Sequence, residues 1–308
     1  MLYERIDFAG LRKKSFALSG ALCVIGALSL LLFGLNLGVD FSSGTTMDIS
    51  VGQQTTREEA LELFEQAGLV PPGAPTIGGA NQDRVTVRYK DVLDEDERNR
   101  ILGVFESRFG EGKVSAEVRT VDAGMAREFG LKTILYVAIA CIGIMLYVAV
   151  RFEWRMAVAA IIALAHDAFI TVGLFSVFRL EVNLPFVAAV LTIIGYSIND
   201  TIVIFDRVRE NLRTAKLKTF EDLKHLVNLS VRQTFVRSVN TGLTVIFAAV
   251  CLLVFGSTAI RLFSLAMLIG LIVGIYSSIF IAGPLWMLLK NRAMQRQRLA
   301  ARAAGAKQ

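Results

Sequence analysis

Cysteine is scarce in this chain: there are three in 308 residues, and all of them, Cys23, Cys141 and Cys251, fall in apolar runs. That leaves no disulfide framework for an exported part and no metal-ligand spacing, so the three read as small packing residues. Proline is also rare, with five, and Pro71, Pro72 and Pro75 crowd a single break in the chain. Charged residues make up only 19% and are almost missing from six long stretches. Those stretches are apolar: 54% of the chain is hydrophobic, and it is gathered into runs in a way that a soluble domain of this length would not show. Taking about 20 apolar residues as the spanning length, six candidate spans emerge: 16–37, 131–150, 156–178, 184–205, 239–255 and 262–289. The fold class is an α-helical polytopic membrane protein of six transmembrane helices, one early and five late.

The net charge of +6 is a topology signal, not a nucleic-acid signal. Between Gly38 and Gly130 there are 17 acids against 10 bases, a net −7, while the remainder carries +13. The basic excess sits before the first span (Arg5, Arg12, Lys13, Lys14), at Arg151 and Arg155, between Arg207 and Arg237, and after Leu289. The positive-inside rule makes these four places cytoplasmic. One alternating topology follows: residues 1–15 inside, a first span at 16–37, an acidic domain outside at 38–130, five spans within 131–289 with a cytoplasmic loop at 206–238, and a basic cytoplasmic tail at 290–308. The first span is too long for a signal-peptide h-region and lacks a convincing small-x-small cleavage site, so it reads as a retained anchor.

Within the acidic domain the hydrophobic period alternates. Met47 to Val51 reads as a strand. Ala60, Leu61, Leu63, Phe64 and Ala67 share a helical face, followed by Gly68. After the Pro71-Pro72-Gly73 break come a weak strand near Thr76, a strand through Val85, Val87 and Tyr89, an amphipathic helix from Asp94 to Phe109, and a last strand from Val114 to Val121. The order β-α-β-β-α-β predicts an inserted α+β ferredoxin-like domain. It holds no nucleophile-base pair and no metal cluster, which favours a scaffold or docking module over an enzyme.

Three charges break the apolar pattern. Asp167 and Asp200 lie inside spans and Arg237 lies close to another, and ionisable groups at that depth mark ion, proton or substrate pathways. At 3.6 residues per turn Thr192, Tyr196, Asn199, Asp200 and Val203 form one stripe, expected to face a neighbouring helix and not lipid, while Arg237, Asn240, Thr241 and Thr244 form another on the next span. The functional reading is a proton relay in which Asp200 gains and loses a proton as Arg237 moves, with Asp167 as a second station and Asn199, Thr201, Asn240, Thr241, Asp206 and Arg207 as a supporting polar network. The competing readings are a static buried clamp for the acids, and membrane anchoring or snorkelling for Arg237. His166 and Asp167, adjacent in sequence, point to different sides of a helix and need not touch. Gly38, Asp40 and Gly44 suggest a constrained turn at the membrane exit, with Asp40 accepting hydrogen bonds. Residues 219–235 read as a helix lying on the membrane surface, and Gly270 and Gly274 as a small-xxx-small packing pair. No metal or cofactor is expected.

Gly38-Val39-Asp40-Phe41, Ala165-His166-Asp167 and the block Gly195-Tyr196-Ser197-Ile198-Asn199-Asp200-Thr201, followed by Phe205-Asp206-Arg207-Val208-Arg209-Glu210-Asn211, resemble the SecF branch of the SecD/SecF protein-export family, related to the RND transporters. The resemblance covers essentially the whole chain; Ser43 stands where that family usually reads glycine. It implies an RND-like half: a non-enzymatic accessory subunit of the Sec translocase that uses the proton-motive force to promote polypeptide export across the bacterial inner membrane. It also implies a heteromeric partner, SecD, supplying a second six-span half, and association with SecYEG and YajC. By motif, Asp200 would be the relay carboxylate and Arg237 its basic partner. An RND exporter of lipid or drug would usually be about twice as long, with two large insertions. An intramembrane aspartyl protease would need a Gly-x-Gly-Asp signature, which Ile198-Asn199-Asp200 lacks.

Overall fold

The computed structural model describes residues 6–79 and 81–305; Arg5, part of the first basic cluster, lies outside them. Six helices in the described residues are long and apolar enough to cross a membrane. The first, α1 (Arg12–Phe33), packs against α6 (Trp154–Val177) through Gly26 and Ser29, while Ser15 and Ser19 meet Tyr276. A Cβ on Gly173 would fall 2.9 Å from the Gly26 Cα, and Ser29 shares a 2.9 Å hydrogen bond with Ser176. This is the close backbone approach that small residues permit where lipid offers no hydrophobic drive.

The first helix stops at Gly34, φ 64°, so 34–37 is not part of the first span as the apolar run implied. The chain instead forms β1 (Asn36–Leu37), a short helix α2 (Val39–Ser42), and then β2 (Gly44–Ser50). The inserted domain continues with α3 (Arg57–Gln66), β3 (Thr76–Gly78), β4 (Arg84–Tyr89), α4 (Glu95–Phe109) and β5 (Ser115–Val121). Its four strands make an antiparallel sheet in the order β3-β4-β2-β5, with Met47 opposite both Val87 and Val118. Alternation puts Met47, Ile49, Val85 and Val87 on one face against Leu63, Phe64, Ile101 and Phe105. Each fully buried Phe contributes about 1.5–3 kcal/mol. Both helices start on side-chain caps, Thr56 for α3 and an Asp94–Glu97 capping box for α4.

The helix α5 (Ala123–Arg151) begins eight residues before the expected span, capped by Asp122. Its apolar length is almost wholly exposed. After α6, a two-residue strand β6 (Glu181–Val182) pairs in parallel with β1, and α7 (Leu184–Thr214) follows, capped by Asn183. The helix α8 (Phe220–Phe255) is continuous over 36 residues: of the expected loop 206–238, only residues 215–219 lie outside α7 and α8, and the helix expected at 219–235 runs on into the fifth span. The apolar face of that segment, Leu223, Leu226, Val227 and Val231, is buried against Phe8, Val208 and Trp286, so it faces protein and not a bilayer surface. The last span joins α9 (Thr258–Ser277), a single π-turn (Ser278–Ala282) and α10 (Gly283–Gly305).

Candidate functional site

Sequence-predicted polar residues meet in a seam where α6, α7, α8 and α9 touch. Gly270 and Gly274 let α9 lie against α7: a Cβ on Gly270 would meet the Ile193 side chain at 2.2 Å, and one on Gly274 would meet Ser197 at 3.2 Å. Beside them is a gap of about 10 Å³ lined by Tyr196, Ser197, Asp200, Thr241 and Gly242, at the lower edge of what holds one water. Asp200, 8% exposed, makes no hydrogen bond or ion pair among the described residues. Arg237, one helix away, acts on it electrostatically but does not touch it.

The polar stripes do not face inward as a whole. Asp200 and Thr201 are buried, whereas Thr192, Tyr196 and Asn199 on α7, and Arg237, Asn240 and Thr244 on α8, open outward on this chain. A helix face wide enough to hold both sets spans more than one neighbour, so only its inner edge is covered. Thr201 shares a 3.0 Å hydrogen bond with Ser278 at the π-turn, and Thr241 donates to the Arg237 carbonyl at 2.8 Å. Asp206 and Arg207 are not brought to Asp200. Asp206 takes both oxygens to Arg151 of α5 at 2.9 Å and is met by Arg209 at 3.1 Å, while Arg207 pairs with Glu210 at 2.7 Å.

Asp167 is fully buried and joins three helices. Its Oδ2 accepts from Ser197 of α7 and from Ser277 of α9 at 2.7 Å, and His166 Nδ1 lies 2.9 Å from its Oδ1. The adjacent His and Asp therefore do touch. Ser197, Ser277 and Ser278 went unassigned in the sequence, where the paired serines at 277 and 278 beside two glycines were the available signal.

At the Gly38–Gly44 turn Asp40 Oδ2 accepts the Leu184 N–H at 2.9 Å, joining α2 to the first turn of α7. Gly38 donates to the Val182 carbonyl at 2.8 Å, and a Cβ there would fall 2.5 Å from Glu181 Oε1. Gly44, at φ 123°, has no room for a Cβ against the Tyr89 carbonyl, and Ser43 before it holds φ 61°. Glu181 was not singled out by sequence reasoning. Burial raises its carboxyl above the ordinary value, opposed by Arg88 and Arg119 of the inserted domain and reinforced by Asp40.

Two family descriptions match the chain: "Protein export membrane protein SecD/SecF, C-terminal" over residues 105–292, and "SecD/SecF GG Motif" over residues 28–55. The chain belongs to the SecD/SecF family. Among SecD/SecF relatives, it is 42% identical to protein translocase subunit SecF of Alicyclobacillus acidocaldarius, covering 95% of each chain. It is 44% identical to protein translocase subunit SecDF of Bacillus subtilis, covering 96% of this chain and 39% of that protein. The crystal structure of SecDF, a translocon-associated membrane protein from Thermus thermophilus, superposes with a TM-score of 0.80 at 33% identity, over 93% of this chain and 39% of that one. The chain thus spans about two-fifths of these SecDF proteins and nearly all of a SecF. The GG-motif match falls on the Gly38–Gly44 turn, and the C-terminal SecD/SecF match contains the whole polar seam.

Proposed function

We propose that this chain is an accessory subunit of the Sec protein translocase which, with a SecD partner, uses the proton-motive force to promote polypeptide export across the bacterial inner membrane. In this reading both termini are cytoplasmic, and the inserted domain is a periplasmic ferredoxin-like unit. SecYEG and YajC are the further partners. Asp200 binds and releases the proton, Arg237 is the charge that approaches or leaves it, Asp167 stands behind them, and the chain carries out no covalent chemistry of its own.

The observation that carries this is a carboxylate buried in an apolar bundle, without a hydrogen-bond partner among the described residues, at the inner edge of a polar face left open to a second half. A carboxylate kept as a static clamp would be expected to have its acceptors filled. The identities to SecF and SecDF proteins support the export role, and their shared family supports SecD as the partner. Replacement Asp200→Asn in the assembled complex should abolish the proton-dependent increment of export in inverted vesicles. Normal export by that assembled variant at full proton-motive force would refute the relay. Arg237→Lys, which keeps the charge and loses the planar fork, should also lower export.

A further inference from the structure

His166 precedes Asp167 on α6, and its side chain is 9% exposed. Its Nδ1 lies 2.9 Å from Asp167 Oδ1, while the other carboxylate oxygen already accepts hydroxyl protons from Ser197 and Ser277. The 2.9 Å contact fits a ring that donates Nδ1–H to Asp167 Oδ1, the tautomer that leaves the lone pair on Nε2. Nε2 is buried and has no hydrogen-bond partner among the described residues. An unpartnered ring nitrogen inside a bundle is costly. One backed by a carboxylate through its other nitrogen is poised to take a proton, because the imidazolium that forms has its counter-charge already in place.

We infer that His166 is a second proton-binding group of this chain, with Nε2 as the accepting atom and Asp167 as its positioning residue. This deepens the proposed proton-driven function and rests on it. The step is a simple protonation: an N–H bond forms at Nε2, the Nδ1–H contact to Asp167 persists, and the pair passes from net −1 to neutral. The connection to the first site runs through Ser197, which donates to Asp167 and lines the gap at Asp200. It continues through Ser278, which meets Thr201 at 3.0 Å and the Ser197 carbonyl at 3.4 Å. The titratable and charged groups around the ring are Asp167 on its own helix, Tyr276 on α9 with ring centroids 6.5 Å apart, Asp200 on α7 beyond Ser197, and Arg237 beyond that on α8. From α1 come the Ser19 hydroxyl and the Ser15 carbonyl, both bound to the Tyr276 hydroxyl.

The chain has two histidines, His166 and His225, so His225→Gln leaves one ring to observe. Ring-nitrogen NMR of the full chain in lipid nanodiscs reports both tautomer and protonation, without any transport assay. The expected result is the Nδ1–H tautomer in the neutral ring, appearance of the imidazolium on acidification, and a changed response in Asp167→Asn. A ring locked in one neutral form throughout acidification overturns the inference, as does a ring whose response is the same in Asp167→Asn. In export assays His166→Asn, which keeps a donor toward Asp167 and lacks the accepting nitrogen, should lose proton-dependent export although it folds. Full export by that variant also overturns the inference. If Asp200→Asn exports normally while His166 titrates as described, the assignment of Asp200 fails and this one stands.

Discussion

Ser43 occupies the left-handed region, φ 61°, ψ 168°, without being glycine, and such a placement costs of order 1 kcal/mol. Ser43→Gly should therefore slow hydrogen exchange across the exit turn by roughly a factor of five, equivalent to about 1 kcal/mol. Gly44→Ala should do the reverse, since its Cβ would sit 2.3 Å from the Tyr89 carbonyl. Asp200 and Asp167 were legible as functional candidates because a charge inside an apolar run is costly whatever surrounds it. The serines were not. Hydroxyls are common in membrane helices, and what makes Ser277 matter is Asp167, 110 positions away.

Among the elements, the parallel pair β1–β6 ties the inserted domain to the start of α7 and was invisible in sequence, being two residues on each side. Glu181 sits in this junction with a carboxyl raised by burial. A carboxyl that holds its proton more tightly when docked favours the docked form as pH falls through the raised value, and the junction weakens as pH rises through the window above the ordinary 4.5. Exchange at the Gly38 amide, corrected for intrinsic rate, should accordingly be better protected at pH 5 than at pH 8, and Glu181→Gln should flatten that dependence. The α1–α6 contact is a second element-scale test. A Gly173→Leu side chain has nowhere to go against Gly26 and should destabilise the pair by about 1–3 kcal/mol, read as faster proteolysis between α1 and β2. The continuity of α8 could not be read from period alone, because its first half is amphipathic with many charges and its second half is apolar but for a narrow polar stripe.

At the scale of the molecule, the seam is half covered. Tyr196, Asn199, Arg237 and Asn240 face outward from an apolar bundle, an arrangement that lipid would not tolerate cheaply. If a SecD half closes over them, cysteines placed at Tyr196 or Asn240, in a chain stripped of Cys23, Cys141 and Cys251, should react with maleimide in the isolated chain. They should be protected at least tenfold when SecD is present. Equal reactivity in both states would mean that the partner packs elsewhere, with α5 the next exposed helix.

Local physics determined the six spans, the inserted β-α-β-β-α-β order and the two buried acids, because burial period, chain length and the expense of charge in hydrocarbon all act through neighbours in sequence. Tertiary structure alone decided which acid is clamped and which is bare. Asp167 finds hydroxyls on α7 and α9 where glycines let those helices close, whereas Asp200 opens on a gap at the rim of an uncovered face. The difference between the two carboxylates lies in who stands opposite, and that is set by helix packing between residues tens of positions apart.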